Sequence, residues 1–167
     1  MLYSASQADL DIRYNFKMKK EETLDHQIKA TWHAISRMYN QQAAKYGGTQ
    51  SVGYILLNIS TENGAPATKI APQMGLEARS LTRILKSMEE KGLIYRKPDP
   101  NDKRGVLVFL TSSGIEMKNR ARETVLRFNE VIRESIPPSQ LNVFFKVLQS
   151  VNKIIEQNKI YDTVGSH

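Results

Sequence analysis

Between residues 66 and 114 the apolar pattern changes from a helical to a strand period within one short stretch, and this limits the chain to very few folds. A short helix leads to a Gly75-Leu76 turn. A second helix is predicted from about Glu77 to Lys91, where Leu81, Ile84, Leu85 and Met88 recur at steps of three and four. Two strands follow, joined by the charged tip Lys97-Pro98-Asp99-Pro100-Asn101-Asp102-Lys103-Arg104-Gly105. The second strand, Val106 to Leu110, is apolar at every position, so one side is expected on the helical core, with Phe109 packed there, and the other against a further surface. The order is that of a helix-turn-helix carrying a β-hairpin wing.

The polar side of the second helix holds Arg79, Ser80, Thr82, Arg83 and Lys86. The first turns of such a helix are the part that can meet base edges, and an arginine can bond both acceptors of a guanine. Arg79 and Arg83 lie four apart on one face, so they are the candidates for base or phosphate contact, with Ser80 and Thr82 as shorter partners. A solvated amphipathic face is the competing reading of the same residues. In the tip, two prolines, Asn101 and Gly105 supply stiffness and permissive backbone angles. Residues 96–105 carry Arg96, Lys97, Lys103 and Arg104 against Asp99 and Asp102, a net charge of +2. Lys103 and Arg104 are the wing's candidate DNA contacts. Pro72 falls in the first helix of the motif, where it is tolerated if Thr68 is the cap. Glu77 is a poor cap for the second, which blurs that boundary.

Glu89, Gly92, Leu93, Ile94 and Arg96, followed by Asp102 and Arg104 and then by Leu110, Thr111 and Gly114, stand in an order and spacing that resembles the MarR family of bacterial transcription regulators. The resemblance covers roughly residues 20–158. It implies a mainly α fold with a small β wing, in which a winged helix-turn-helix is flanked by N- and C-terminal dimerisation helices. It also implies a homodimer on double-stranded DNA, with an inverted-repeat operator and control by a ligand. Arg104 would enter the minor groove, and Asp102 would steady the wing by pairing with a basic neighbour such as Arg96. A winged-helix module that binds protein and no DNA is the alternative; it has no need of cations at 79, 83 and 104 together.

Around this centre the chain divides into an arm at 1–18, an N-terminal helix of the dimerisation lobe at 19–48, the winged region at 49–111, C-terminal dimerisation helices at 112–158 and a tail at 159–167. Leu24, Ile28, Trp32, Ile35, Met38 or Tyr39, and Ala43 make the stripe of a helix from about Lys19 to Tyr46, ended by Gly47-Gly48. The next helix is expected from about Gln50 to Thr61, with Val52, Ile55, Leu56 and Ile59 inward and Asn63-Gly64 as terminator. A third small strand before Pro66 is left open. Thr111 is the expected cap of a long helix to Ser135, Pro137-Pro138 breaks it, and a last helix runs from about Ser139 to Asn158. Its apolar face, with Phe144, Phe145, Leu148, Val151 and Ile155, is too broad for a small domain to cover alone.

Lysine and arginine total 24 against 17 acidic residues, a net charge of +7 that favours polyanionic partners. With no cysteine in the sequence, disulfides, zinc ribbons and thiol redox switches are excluded. No signal peptide or membrane span is evident, so a cytoplasmic location is expected. No nucleotide-binding loop or nucleophile motif occurs, and His26 and His33, near Asp25, lack a matched third ligand, so neither enzyme, cofactor nor metal is expected. Trp32, Tyr39, Tyr46 and Tyr54 concentrate aromatic surface in the first two helices, where MarR-like proteins hold aromatic or anionic effectors. Trp32, Tyr39 and Tyr54 are the candidate ligand contacts; core and dimer packing explains the same rings without one.

Overall fold

The computed structural model describes residues 19–73, 78–100, 102–157 and 160, with the side chains of Ala71, Gln73, Ala78, Lys103 and Arg104 left outside the description. The 1–18 arm, the Gly75-Leu76 turn, Glu77 and most of the tail therefore lie outside the described residues. A short 3-10 turn at Lys20–Glu22 precedes α1 (Leu24–Ala44), α2 (Gln50–Asn58), β1 (Ala65–Pro66), α3 (Ala67–Gln73), α4 (Ala78–Glu90), β2 (Ile94–Asp99), β3 (Asp102–Leu110), α5 (Ser112–Ser135) and α6 (Pro138–Glu156). Two compact units divide between Gly53 and Tyr54, inside α2.

In the first unit α1 carries no buried residue. Its apolar stripe is open, with Leu24, Ile28 and Trp32 all more than 40% exposed. Gly47 (φ +69°) ends the helix, and the N–H of Gly48 returns to the Ala43 carbonyl at 3.0 Å, satisfying an oxygen the helix leaves unpaired.

The second unit holds the core. Ile55, Leu56, Ile59, Ile70, Leu81, Leu85, Met88, Ile94, Val108 and Leu110 are buried, so α2, α3, α4 and the sheet share one apolar interior. The helix α2 stops three residues before Thr61 because Ser60 turns the chain. Its Oγ accepts from the N–H of Asn63 and its carbonyl from that of Gly64, whose φ of +66° closes the loop. Lys118, on α5, donates its ammonium group to the Ile59 carbonyl at 2.5 Å, occupying an acceptor at the end of α2.

The sheet order is β1-β3-β2, antiparallel throughout. The third strand is real and includes Pro66, an edge position where a missing N–H costs no ladder bond. In α3, Thr68 is not the cap: the seven-residue helix already starts at Ala67, and Pro72 lies within it. The buried Ile70 ties this short helix to the core despite the bond that proline removes.

Thr111 caps α5, which ends at Ser135. Pro137 and Pro138 do more than interrupt, since Pro137 is the cap of α6 and Pro138 its first residue, where a proline lacks only an N–H that would be unpaired anyway. Leu141 is buried, but Val143, Phe144, Phe145, Val147, Ile154 and Ile155 stand exposed.

Candidate nucleic-acid interface

Helix α4 is sharply two-sided. Leu81, Leu85 and Met88, at i, i+4 and i+7, are buried, with Ile84 half-buried beside them. Arg79, Ser80, Thr82, Arg83 and Lys86 are all exposed. Arg79, Arg83 and Lys86 repeat the i, i+4, i+7 spacing on the open side and so form one cationic ridge. Lys86 reaches Glu90 at 3.9 Å, but both side chains are mostly in water, and a pair of that kind holds its lysine weakly.

What aims the ridge is the way α4 ends. Gly92 has φ +67°; its N–H donates to the Glu89 carbonyl at 2.9 Å, and the N–H of Leu93 donates to that of Met88 at 2.9 Å. This paired reversal closes the helix and turns Leu93 inward beside Met88, both buried. Thr111 then seals the joint from the far end of the wing. Its hydroxyl donates to the Gly92 carbonyl at 2.6 Å and accepts from the N–H of Gly114 at 3.1 Å, while its own N–H donates to the Leu93 carbonyl at 3.1 Å. Gly114 is required by the same contact, because a Cβ there would lie 2.0 Å from the Leu93 oxygen. Four residues of the sequence signature thus form a single joint between α4, the wing and α5.

Two more signature residues form a clasp. The guanidinium of Arg96 donates through both Nε and Nη2 to Oε2 of Glu89, from the root of the wing to the last turn of α4. These hydrogen bonds hold the Glu89 carboxyl below its ordinary range and push the Arg96 guanidinium upward. Arg96, named as an example of the basic neighbour that Asp102 would pair with, is engaged by Glu89 instead. Arg96 stands across from Val108 in the ladder, whereas Asp102 stands across from Asp99, with a bulge between Pro98 and Asp99. Sequence distance hid the clasp, although Glu89 and Arg96 both belong to the signature. Gly105 keeps the tip tight, with a virtual Cβ 3.0 Å from that of Asp99. Lys103 and Arg104 belong to β3, but their side chains lie outside the described residues.

Phe109 also departs from expectation. The register sets it opposite Tyr95, on the face away from buried Val108 and Leu110, and the two rings stack at 5.4 Å and 15°. Its neighbours in sequence face the core instead.

The MarR family model matches residues 49–106, the span of α2, the two helices of the motif and the wing up to Val106. Across 104 residues the chain is 32% identical to the organic hydroperoxide resistance transcriptional regulator of Bacillus subtilis, covering 62% of this chain and 71% of that protein. The chain belongs to the MarR family.

Solved structures agree in fold. The MepR–DNA complex of S. aureus aligns with a TM-score of 0.73 at 18% identity, over 80% of this chain and 98% of that one. PcaV from Streptomyces coelicolor, in complex with its natural ligand, aligns with a TM-score of 0.68 at 20% identity, over 81% and 95%. The winged helix-turn-helix architecture, mostly helical with a three-stranded antiparallel sheet, is that of these MarR-type proteins.

Of the candidate ligand residues, Trp32 and Tyr39 lie seven apart on one side of α1, Trp32 half-exposed and Tyr39 less so. Tyr54 belongs to the other unit. Among the described residues no group of three or more histidines and carboxylates could hold a metal ion, and no described helix is long and apolar enough to cross a membrane.

Proposed function

We propose that this MarR-family chain is a homodimeric, sequence-specific regulator of transcription, a ligand-responsive repressor that binds an inverted-repeat operator in duplex DNA. The observation that carries the reading is the exposed ridge of Arg79, Arg83 and Lys86 on a helix whose opposite face is buried and whose end is clamped by the Gly92-Thr111-Gly114 joint. A rigid helix with arginines on its open side can place bidentate donors against base edges, with Ser80 and Thr82 reaching neighbouring groups. Lys103 and Arg104 at the wing supply phosphate and minor-groove contacts. The exposed apolar face of α6 supports self-association, since monomeric surfaces seldom leave such a patch in water. A two-fold dimer presents two reading helices about one turn of DNA apart, which selects an inverted repeat.

An aromatic or anionic effector near Trp32, Tyr39 or Tyr54 would act by preferring one separation of the two reading heads. A coupling of about 1–3 kcal/mol changes operator affinity roughly 5–150-fold. The sequence contains no cysteine, so thiol oxidation cannot serve as its signal. Nothing in the reading calls for catalysis, and a protein acting on the chromosome of a bacterial cell works in the cytoplasm.

Sedimentation and salt titration test the reading together. A dimer of about twice the 19.0 kDa chain is expected, with operator affinity falling by a log–log slope of about 0.9 per neutralised phosphate. A monomer would refute the dimer, and duplex affinity independent of salt would refute the DNA interface.

A further inference from the structure

We propose that Lys97 is an additional phosphate-contacting residue of the wing, and that Tyr95 and Phe109 are positioning residues that hold its ammonium group ready for that contact. The proposal rests on the reading of the wing as part of a DNA interface.

Strand alternation gives β2 two different cations. Arg96 points to the side of Val108 and is committed to Glu89. Lys97 points the other way, paired in register with Leu107, and among the described residues it takes part in none of the ion pairs. Its Nζ lies 5.4 Å from the Tyr95 centroid and 5.4 Å from the Phe109 centroid, over both rings of the stacked pair.

The platform beneath it is fixed from below. A Cβ at Gly64 would come within 3.0 Å of the Phe109 ring, so the loop before β1 presses its backbone against Phe109, and Phe109 supports Tyr95. Tyr95 is 39% exposed, which leaves the top of the stack open to solvent. An ammonium group resting on ring faces uses its charge there but no N–H acceptor, so its donors remain for an anion's oxygens. A lysine on a bare strand would lose rotamer freedom on reaching a phosphate; here much of that freedom is already gone in the unbound protein. The chemistry fits the phosphodiester backbone of duplex DNA, which the wing would meet at Lys97, two residues before β2 ends at Asp99.

Because a phosphate contact is indifferent to sequence, a fluorescein-labelled random-sequence duplex is sufficient as the probe, titrated by anisotropy across a range of salt. Lys97→Ala should lower the log–log salt slope by about 0.9 for each chain bound and weaken binding about five-fold per chain near 0.15 M salt. Tyr95→Leu, which keeps an apolar side chain but loses the ring, should weaken binding about two- to five-fold with the slope unchanged. Tyr95→Phe should behave as wild type. In the Lys97→Ala background Tyr95→Leu should have no further effect, which a general loosening of the wing would not produce. Wild-type binding with an unchanged slope and affinity in Lys97→Ala would overturn this proposal and leave the DNA interface standing. Equal losses from Tyr95→Leu with and without Lys97 would overturn the positioning role. Absence of salt-dependent binding by the wild type would overturn the interface and this proposal with it.

Discussion

Gly114→Ala sets two physical effects against each other, and the joint between the wing and α5 decides which wins. Judged by helix propensity, alanine in the first turn of α5 should stabilise the protein by about 1 kcal/mol. The added Cβ, however, would sit 2.0 Å from the carbonyl oxygen of Leu93 and 3.0 Å from its carbon. Both atoms are backbone, and that carbonyl is held by the N–H of Thr111 at 3.1 Å, so no flexible side chain can yield. Overpacking of this kind costs about 1–3 kcal/mol. Separating α5 from Leu93 also stretches the bonds that Thr111 makes to Gly92 and Gly114, each worth about 1 kcal/mol. The net expectation is a loss of about 2 kcal/mol, which lowers the melting temperature of a protein this size by about 4–8 °C. Circular dichroism melts at one protein concentration measure it. Gly92→Ala is the internal comparison: φ there is +67° but nothing lies within 4 Å of the added carbon, so only the left-handed backbone penalty of about 1–2 kcal/mol applies. A Gly114→Ala protein that melts at or above the wild-type temperature would refute the close-packed joint. So would a larger loss from Gly92→Ala than from Gly114→Ala.

The Glu89–Arg96 clasp should make stability depend on pH. Because Arg96 holds the Glu89 carboxyl below its ordinary range, its contribution is present above about pH 4.3 and is lost as pH falls through the lowered value. Melting temperatures of wild type and Glu89→Gln should therefore differ at neutral pH and converge in acid; a pH-independent gap would count against the clasp. On α4 and the wing, Arg79→Ala or Arg83→Ala should cost roughly 1–3 kcal/mol of operator binding and relax choice at particular base pairs, whereas Lys103→Ala should weaken all duplexes alike. Arg104→Ala should act mainly at a minor-groove position. Unchanged operator affinity in all four variants, measured by anisotropy, would place the reading face elsewhere.

Local chemistry was enough to locate most elements of this chain. Gly47, Gly92 and the cap at Thr111 mark helix boundaries through backbone angles and hydrogen bonds that span a few residues. The three- and four-residue steps of Leu81, Leu85 and Met88 identified the buried side of α4, and with it the opposite ridge of Arg79 and Arg83, because helical geometry alone sets those faces. The family signature was legible as a pattern, but the work each residue does in it was not. Val106 to Leu110 is apolar at every position, so alternation could not say which residues face the core; pairing of Ile94 with Leu110 and of Tyr95 with Phe109 decided it, and turned Phe109 outward. The same cross-strand register set Asp102 opposite Asp99, while the packing of β2 on α4 brought Arg96 to Glu89. Pro66 entered a strand only because β3 lay beside it, and Gly114 became indispensable only because the Leu93 carbonyl arrives there from the other end of the hairpin. Signals carried within one turn of chain are written in the sequence, whereas contacts between distant segments exist only once the hairpin has closed and the core has chosen its register.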